Sequence, residues 1–184
     1  MRHAWHFYYA LVLVIKVVCG SIVLRASHLN WALCVTRGKC MEVELKVGSD
    51  SLFAESLTKS NMASYYQTRG IIWDHNQFLS SWEELDNYEV HLDQARVGVL
   101  RFSYSGDTTF LRDFQILPEF QGRGIGAKCL ELVVRHALER QSTKLVLRVF
   151  SENPAISLYE SKGFVRTSEV NGLVEMENLL SSNT

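Results

Sequence analysis

Residues 121–126 read Gln-Gly-Arg-Gly-Ile-Gly, and residues 153–159 read Asn-Pro-Ala-Ile-Ser-Leu-Tyr, closed by Gly163-Phe164. Ahead of the first stretch, Thr109 to Leu117 is a strand candidate that stops at Pro118, which cannot donate to a ladder. Behind it, Ile125, Cys129, Leu132, Val133, His136 and Ala137 recur at helical spacing to about Arg140. The glycines therefore sit in a strand-to-helix turn at a helix start. Unpaired N–H groups and the positive end of the helix dipole favour an anion there. Glycine at 122, 124 and 126 lets the backbone approach phosphate oxygens, and Arg123 and Lys128 add positive charge. The plain alternative for this stretch alone is a tight turn with no ligand.

A dinucleotide site competes, because Gly122, Gly124 and Ala127 also fit G-x-G-x-x-A, with Glu152 after the next strand. Against it, a proline separates strand from glycines, too little chain follows for a second mononucleotide-binding half, and the second stretch stays unexplained. The Gly-Lys-Ser/Thr of a kinase-type loop is absent. In the second stretch, Leu145 to Phe150 is a buried-strand run, Asn153 suits an N-cap, Pro154 the first helical position and Gly163 the C-cap. By itself that describes a capped short helix with Tyr159 in a core.

Taken together, Gln121, Gly124 and Gly126 followed by Asn153, Ala155, Leu158, Tyr159, Gly163 and Phe164 resemble the GNAT superfamily of acetyl-CoA-dependent N-acetyltransferases. The resemblance covers roughly residues 41–180 and is strongest from Leu111 to Phe164. It implies acetyl-CoA as cosubstrate without a metal, held between a strand ending near Ile116 and a splayed strand 145–150. The pantetheine arm would pair with backbone at Phe114, Gln115 and Ile116. The pyrophosphate would lie on the N–H groups of Gly122, Gly124 and Gly126, beside Ile125 and Ala127, with Gln121 and Arg123 at the rim. Asn153 would hydrogen-bond the pantetheine arm, and Tyr159 would protonate the departing thiolate. The amine would attack directly, the growing oxyanion being met by backbone N–H near Ile116.

The general base is less legible. Asp113 lies on the strand beside the cofactor, with an ion pair to neighbouring Arg112 as its plain alternative. Asp74, His75, Glu83 and Glu84 lie upstream, where surface charge is the ordinary reading. His136 falls on the apolar face of its helix and reads as structural. Tyr65, Tyr66, Trp73, Phe78 and Trp82 suit either a pocket or, for most of them, a core.

Composition bounds the rest. The chain has 184 residues, 47% hydrophobic, with net charge −1, which suits one ordinary domain. Residues 1–40 hold five basic residues, no Asp or Glu, and three of the four cysteines; the remainder carries 14 basic and 20 acidic groups, a net of −6. We expect residues 1–40 to be a leader and 41–184 the domain. A start assigned too early is the preferred reading of the leader, ahead of membrane attachment, which Lys16 within the apolar run Phe7 to Leu24 disfavours, and a structured extension. The cysteines form no metal or disulfide framework, and one cysteine in 41–184 fits a reducing cytoplasm.

The expected layout is a mixed α/β (α+β) domain with a mostly antiparallel central sheet flanked by helices. Strand 42–47 precedes helices 51–68 and 75–84, which break at Arg69-Gly70. Strands 88–92, 96–104 and 109–117 form a meander, then come helix 124–140, strand 145–150, helix 154–161 and a hairpin 164–179 turning at Asn171-Gly172. No basic-aromatic groove for nucleic acid is visible. The expected partner is a small-molecule or peptide amine, with a homodimer suggested by the resemblance. A catalytically silent acyl-CoA-binding sensor is the competing function; Tyr159 argues for the enzyme, since a binder needs no proton donor at sulfur.

Overall fold

Alternating apolar residues through Asp86–Leu92, Ala95–Ser105 and Thr108–Ile116 form three consecutive antiparallel strands, β2, β3 and β4. They belong to a seven-stranded sheet in the computed structural model, which describes residues 42–181; the expected leader lies outside the described residues. β1 (Val43–Val47) pairs with β2 at one edge. β5 (Lys144–Phe150) joins β4 in parallel, and the β6 (Val165–Val170) and β7 (Leu173–Leu179) hairpin completes the order β1-β2-β3-β4-β5-β7-β6. The mixed, mostly antiparallel sheet read from the sequence is thus present.

Local chemistry sets the helices. Asp50 accepts from the Phe53 amide at 2.9 Å to start α1 (Ser51–Arg69), and Gly70 ends it in the left-handed region at φ 64°. Asp74 likewise accepts from Gln77 at 3.0 Å to start α2 (His75–Glu84). α3 spans Ile125–Glu139 and α4 spans Ala155–Ser161. One large apolar cluster joins α3 and α4 to the sheet through Leu100, Phe102, Phe114, Ile116 and Leu147. On the other face, α1 and α2 pack Ala54, Leu57 and Phe78 on Val99, while Met62, Tyr65 and Tyr66 meet Phe150. Among the described residues, no helix is long and apolar enough to cross a membrane.

Two departures from a regular sheet matter. The first is in the β3–β4 register, where Arg101 lies opposite Asp113 but Phe102 lies opposite Leu111. Arg112 is the extra residue of a β-bulge. Because strand faces alternate, the bulge sends Leu111 to the α3 side and Asp113 to the α1 side. The second is in the β4–β5 ladder, which pairs Thr108 through Leu111 with Lys144 through Leu147 and then stops. Beyond it β4 continues to Ile116 and β5 to Phe150.

The β5 side of that gap is tied to the end of α1 by Arg69. Its guanidinium donates to Glu152 Oε2 at 2.5 Å and to the carbonyls of Asn171 and Gly172 at 3.3 Å, and lies 4.3 Å over the Phe150 ring. The end of α1 is thereby fastened to both the β5–α4 turn and the β6–β7 hairpin.

Gly98 of β3 allows β4 to approach. A Cβ there would lie 2.2 Å from the Gln115 carbonyl oxygen and 2.7 Å from Ile116 Cδ1. Gly98→Ala must push β4 away and should destabilise the fold by about 3 kcal/mol. Urea unfolding measures it, and an unchanged midpoint would contradict the close approach.

Candidate active site

The glycine turn begins the site. Gly122 and Gly124 have φ of 71° and 78°, in the left-handed region that favours glycine. Gly124 precedes α3 without a side-chain cap, so the amides of the helix's first turn, at Ile125, Gly126 and Ala127, lack intrahelical acceptors. Ile125 is buried and pins the helix start to the core, while Gly122, Arg123 and Gly124 remain exposed. Arg123 rests 5.5 Å over the Phe120 ring. The Gln121 side chain differs from its expected place at the rim. It turns inward and donates to the Ile116 carbonyl at 2.8 Å.

The open β4 edge leads from this turn. The Leu117 amide donates to Val97 of β3 at 2.8 Å, so alternation turns the backbone of Gln115 to β3 and that of Phe114 and Ile116 to the gap. Gln115 therefore presents no backbone to the gap. The Ile116 carbonyl is taken by Gln121 and by Asn61 Nδ2 at 3.0 Å, which leaves the Ile116 amide, with the amide and carbonyl of Phe114, as the backbone groups turned to the gap.

Across the gap stand Asn153 and Tyr159. Asn153 Oδ1 accepts from the Ala155 amide at 2.9 Å and caps α4, while its buried Nδ2 has no partner. A buried donor without an acceptor is costly, and this one fits an amide of an extended ligand lying along the β4 edge. Tyr159 is buried with its ring edge-on to Phe164 at 5.7 Å. Burial raises its pKa well above the ordinary phenol range, and the Asp113 charge raises it further, so the hydroxyl stays protonated.

Asp113 lies on the α1 side. It is fully buried, and burial pushes its pKa up to about 6 against the opposing pull of Arg101, Thr58 and Gln115. Its partner is not the adjacent Arg112, whose Nε donates to Ser103 Oγ at 2.7 Å. The bulge instead places Arg101 opposite, with Nη1 3.7 Å from Asp113 Oδ2, and Thr58 donates to the same oxygen at 3.0 Å. Oδ1 is left without a hydrogen bond. Asn61 also donates to Gln115 Oε1 at 2.9 Å, and the amide nitrogen of Gln115 and the hydroxyl of Tyr66 are buried and unpartnered nearby. Burial and then the Asp113 charge raise the Tyr66 pKa, which ties that phenol to the same cluster.

The other upstream candidates fall away from this cluster. Asp74 caps α2, His75 bonds Glu55 at 2.8 Å, and Glu83 and Glu84 are exposed. His136 bonds the Tyr104 hydroxyl at 2.8 Å and stacks on Phe102, a structural place. Tyr65, Tyr66 and Phe78 are core residues, with Trp73 and Trp82 half-buried beside them. Sequence reasoning missed Thr58, Asn61 and Arg101. The signal for Arg101 was a cation inside the apolar run Val97 to Phe102, which burial obliges to find a partner.

Residues 52–164 match the model of the Acetyltransferase (GNAT) family. A thialysine N-epsilon-acetyltransferase of Bos taurus is 35% identical over 79 residues, which are 41% of this chain and 46% of that protein. The chain thus spans about half the length of the curated relatives it matches. Among solved structures, the IAA acetyltransferase from Bacillus cereus superposes with a TM-score of 0.61 at 18% identity, covering 76% of this chain and 100% of that one. The spermidine N-acetyltransferase from Vibrio cholerae, in complex with CoA and spermine, gives 0.60 at 20% identity, covering 74% and 95%. At these identities the likeness establishes a common fold.

The raised pKa of Asp113 has a sign that stability reads. The folded protein holds that proton more tightly than the unfolded chain, so the contribution is full below about pH 4 and is lost as pH rises to about 6. Asp113→Asn removes the titration. The stability of the variant relative to the wild type should climb between pH 4 and 6 and level off above, whatever the constant offset between them. Urea titrations across that range check this; a flat difference would mean Asp113 titrates normally.

Proposed function

Because the chain belongs to the acetyltransferase (GNAT) family, we propose that it transfers the acetyl group of acetyl-CoA to a primary amine of a small molecule or peptide. The observation that carries the reading is the parting of β4 and β5 after Leu111 and Leu147, with a buried acid and a buried phenol on either side of the opening. Bound acetyl-CoA supplies an activated acetyl thioester. The first-turn amides of α3 and the exposed glycines suit its pyrophosphate, with Arg123 near enough to add charge. The Ile116 amide and Asn153 Nδ2 suit the pantetheine arm and thioester from opposite walls of the gap.

The chain's own groups then divide the proton transfers. Asp113 Oδ1 takes a proton from the acceptor ammonium, freeing the lone pair that attacks the carbonyl. With a pKa near 6 the carboxyl is mostly ionised at neutral pH yet basic enough to accept. The Ile116 amide faces the oxyanion that forms on attack. As the C–S bond breaks, Tyr159 gives its proton to the leaving sulfur and is restored by the second proton that the former amine nitrogen sheds; its raised pKa keeps the phenol protonated before that step. Both reactants bind before either bond changes, so the gap contributes mainly by holding them in line.

The test is thiol release from acetyl-CoA by the full chain against polyamines, thialysine, amino acids and short peptides. Release with one acceptor class is expected and names the substrate. Acetyl-CoA binding without release across the panel would favour the sensor instead. Tyr159→Phe should retain the acetyl-CoA dissociation constant and lose about 100-fold in kcat at neutral pH. An unchanged kcat across pH would remove Tyr159 as the acid.

A further inference from the structure

Among the described residues, Arg101 is the largest of the fully buried side chains and has an unusual set of neighbours. Nε donates to Asn87 Oδ1 at 3.1 Å and Nη2 to Ser81 Oγ at 2.7 Å. Asn87 in turn donates to the carbonyls of Trp82 and Leu85, both at 2.8 Å, so the end of α2 is tied to the same group. The guanidinium lies 4.7 Å over the Phe78 ring and 5.6 Å over that of Trp82. Only its third nitrogen, Nη1, is turned to β4, where it meets Asp113 Oδ2 at 3.7 Å. A buried ion pair is a weak device for stability, because desolvation of both charges offsets their attraction. A pair of apolar side chains would fill this space at lower cost. The arrangement has a different effect, which is to constrain one carboxylate.

We propose that Arg101 is a positioning residue for the acetyl transfer, holding Asp113 ionised and oriented so that Oδ1 is the oxygen presented to the acceptor amine. The inference rests on Asp113 being the general base. Every group facing that carboxyl fits the assignment. Thr58 hydrogen-bonds Oδ2, and the Arg101 charge stands 3.7 Å from the same oxygen without a hydrogen bond, which favours one rotation and leaves the buried Oδ1 without a partner. Gln115 is held by Asn61, its amide nitrogen favouring the charged form without completing a hydrogen bond. Tyr66 from α1 and Tyr159 from α4 are neutral, and each feels the Asp113 charge. Arg101 is the cation whose charge acts on Asp113. Its removal leaves a buried carboxylate without compensation, and the carboxyl then holds its proton into the neutral range.

The experiment follows the Asp113 carboxyl carbon by NMR in the full chain with labelled aspartate, the resonance being the one lost in Asp113→Asn. Arg101→Met should raise the titration midpoint by at least about one unit, a tenfold gain in proton affinity. Arg101→Lys, which keeps the charge but not the fork, should fall between the two. Ser81→Ala loosens the guanidinium while retaining it, and should give a smaller rise in the same direction if Arg101→Met does not fold. A midpoint unchanged in Arg101→Lys and Ser81→Ala overturns the proposal. Kinetics separate it from the reading on which it rests. With the acceptor that releases most thiol, the acid limb of kcat/KM should move to higher pH together with the NMR midpoint. If Asp113→Asn keeps the wild-type pH profile, the base assignment itself fails; if that variant is inactive but no midpoint moves, the role of Arg101 alone fails.

Discussion

The arrangement depends on one extra residue in β4. Without the bulge at Arg112, Arg101 would face another cation across the ladder, and both would be driven towards the same apolar layer under α1. Like charges opposite one another destabilise a sheet, and burying two unpaired guanidiniums is costlier still. The bulge shifts the register by one, sends Arg112 to Ser103 and brings Asp113 across from Arg101. It also reverses the facing of β4 beyond it, so that Phe114 and Ile116 enter the core with α3 while Asp113 and Gln115 meet α1. The acid of the candidate site and the apolar wall of the cleft are thus both set by a single local irregularity.

The opening between β4 and β5 is sustained by the polar groups around it. Ile116 ends its strand with a carbonyl held by Asn61 from α1 and by Gln121 from the glycine turn. Those two side chains take up an acceptor that a continued parallel ladder would have used. On the opposite wall Asn153 spends its oxygen on the start of α4 and leaves its nitrogen facing inward. The gap therefore has a donor on each wall, the Ile116 amide and Asn153 Nδ2, available to carbonyl groups of a ligand. The glycine turn continues that pattern, since the first amides of α3 are also donors without acceptors.

Much of this was legible because it is encoded locally. The glycine turn, the Asn-Pro helix start, the break at Gly70 and the hairpin at Asn171-Gly172 are each set by residues adjacent in sequence, and all occur within a residue or two of where periodicity put them. Asp113 was visible as an acid in an apolar strand. What could not be read was its partner. Adjacent Arg112 is the natural guess from sequence alone, whereas the true partner depends on register between strands, which no local pattern specifies once a bulge intervenes. The same holds for Thr58 and Asn61, ordinary polar residues on α1 until packing sets them against β4.

The α1 helix touches both strands that part beyond Leu111 and Leu147. Thr58 and Asn61 hold it to β4, and Arg69 at its end holds it to the β5–α4 turn and the β6–β7 hairpin. One helix thus braces two strands that no longer pair with each other. In mechanical terms α1 is a strut, and any motion that widens or narrows the opening must strain its polar fastenings at one end or the other.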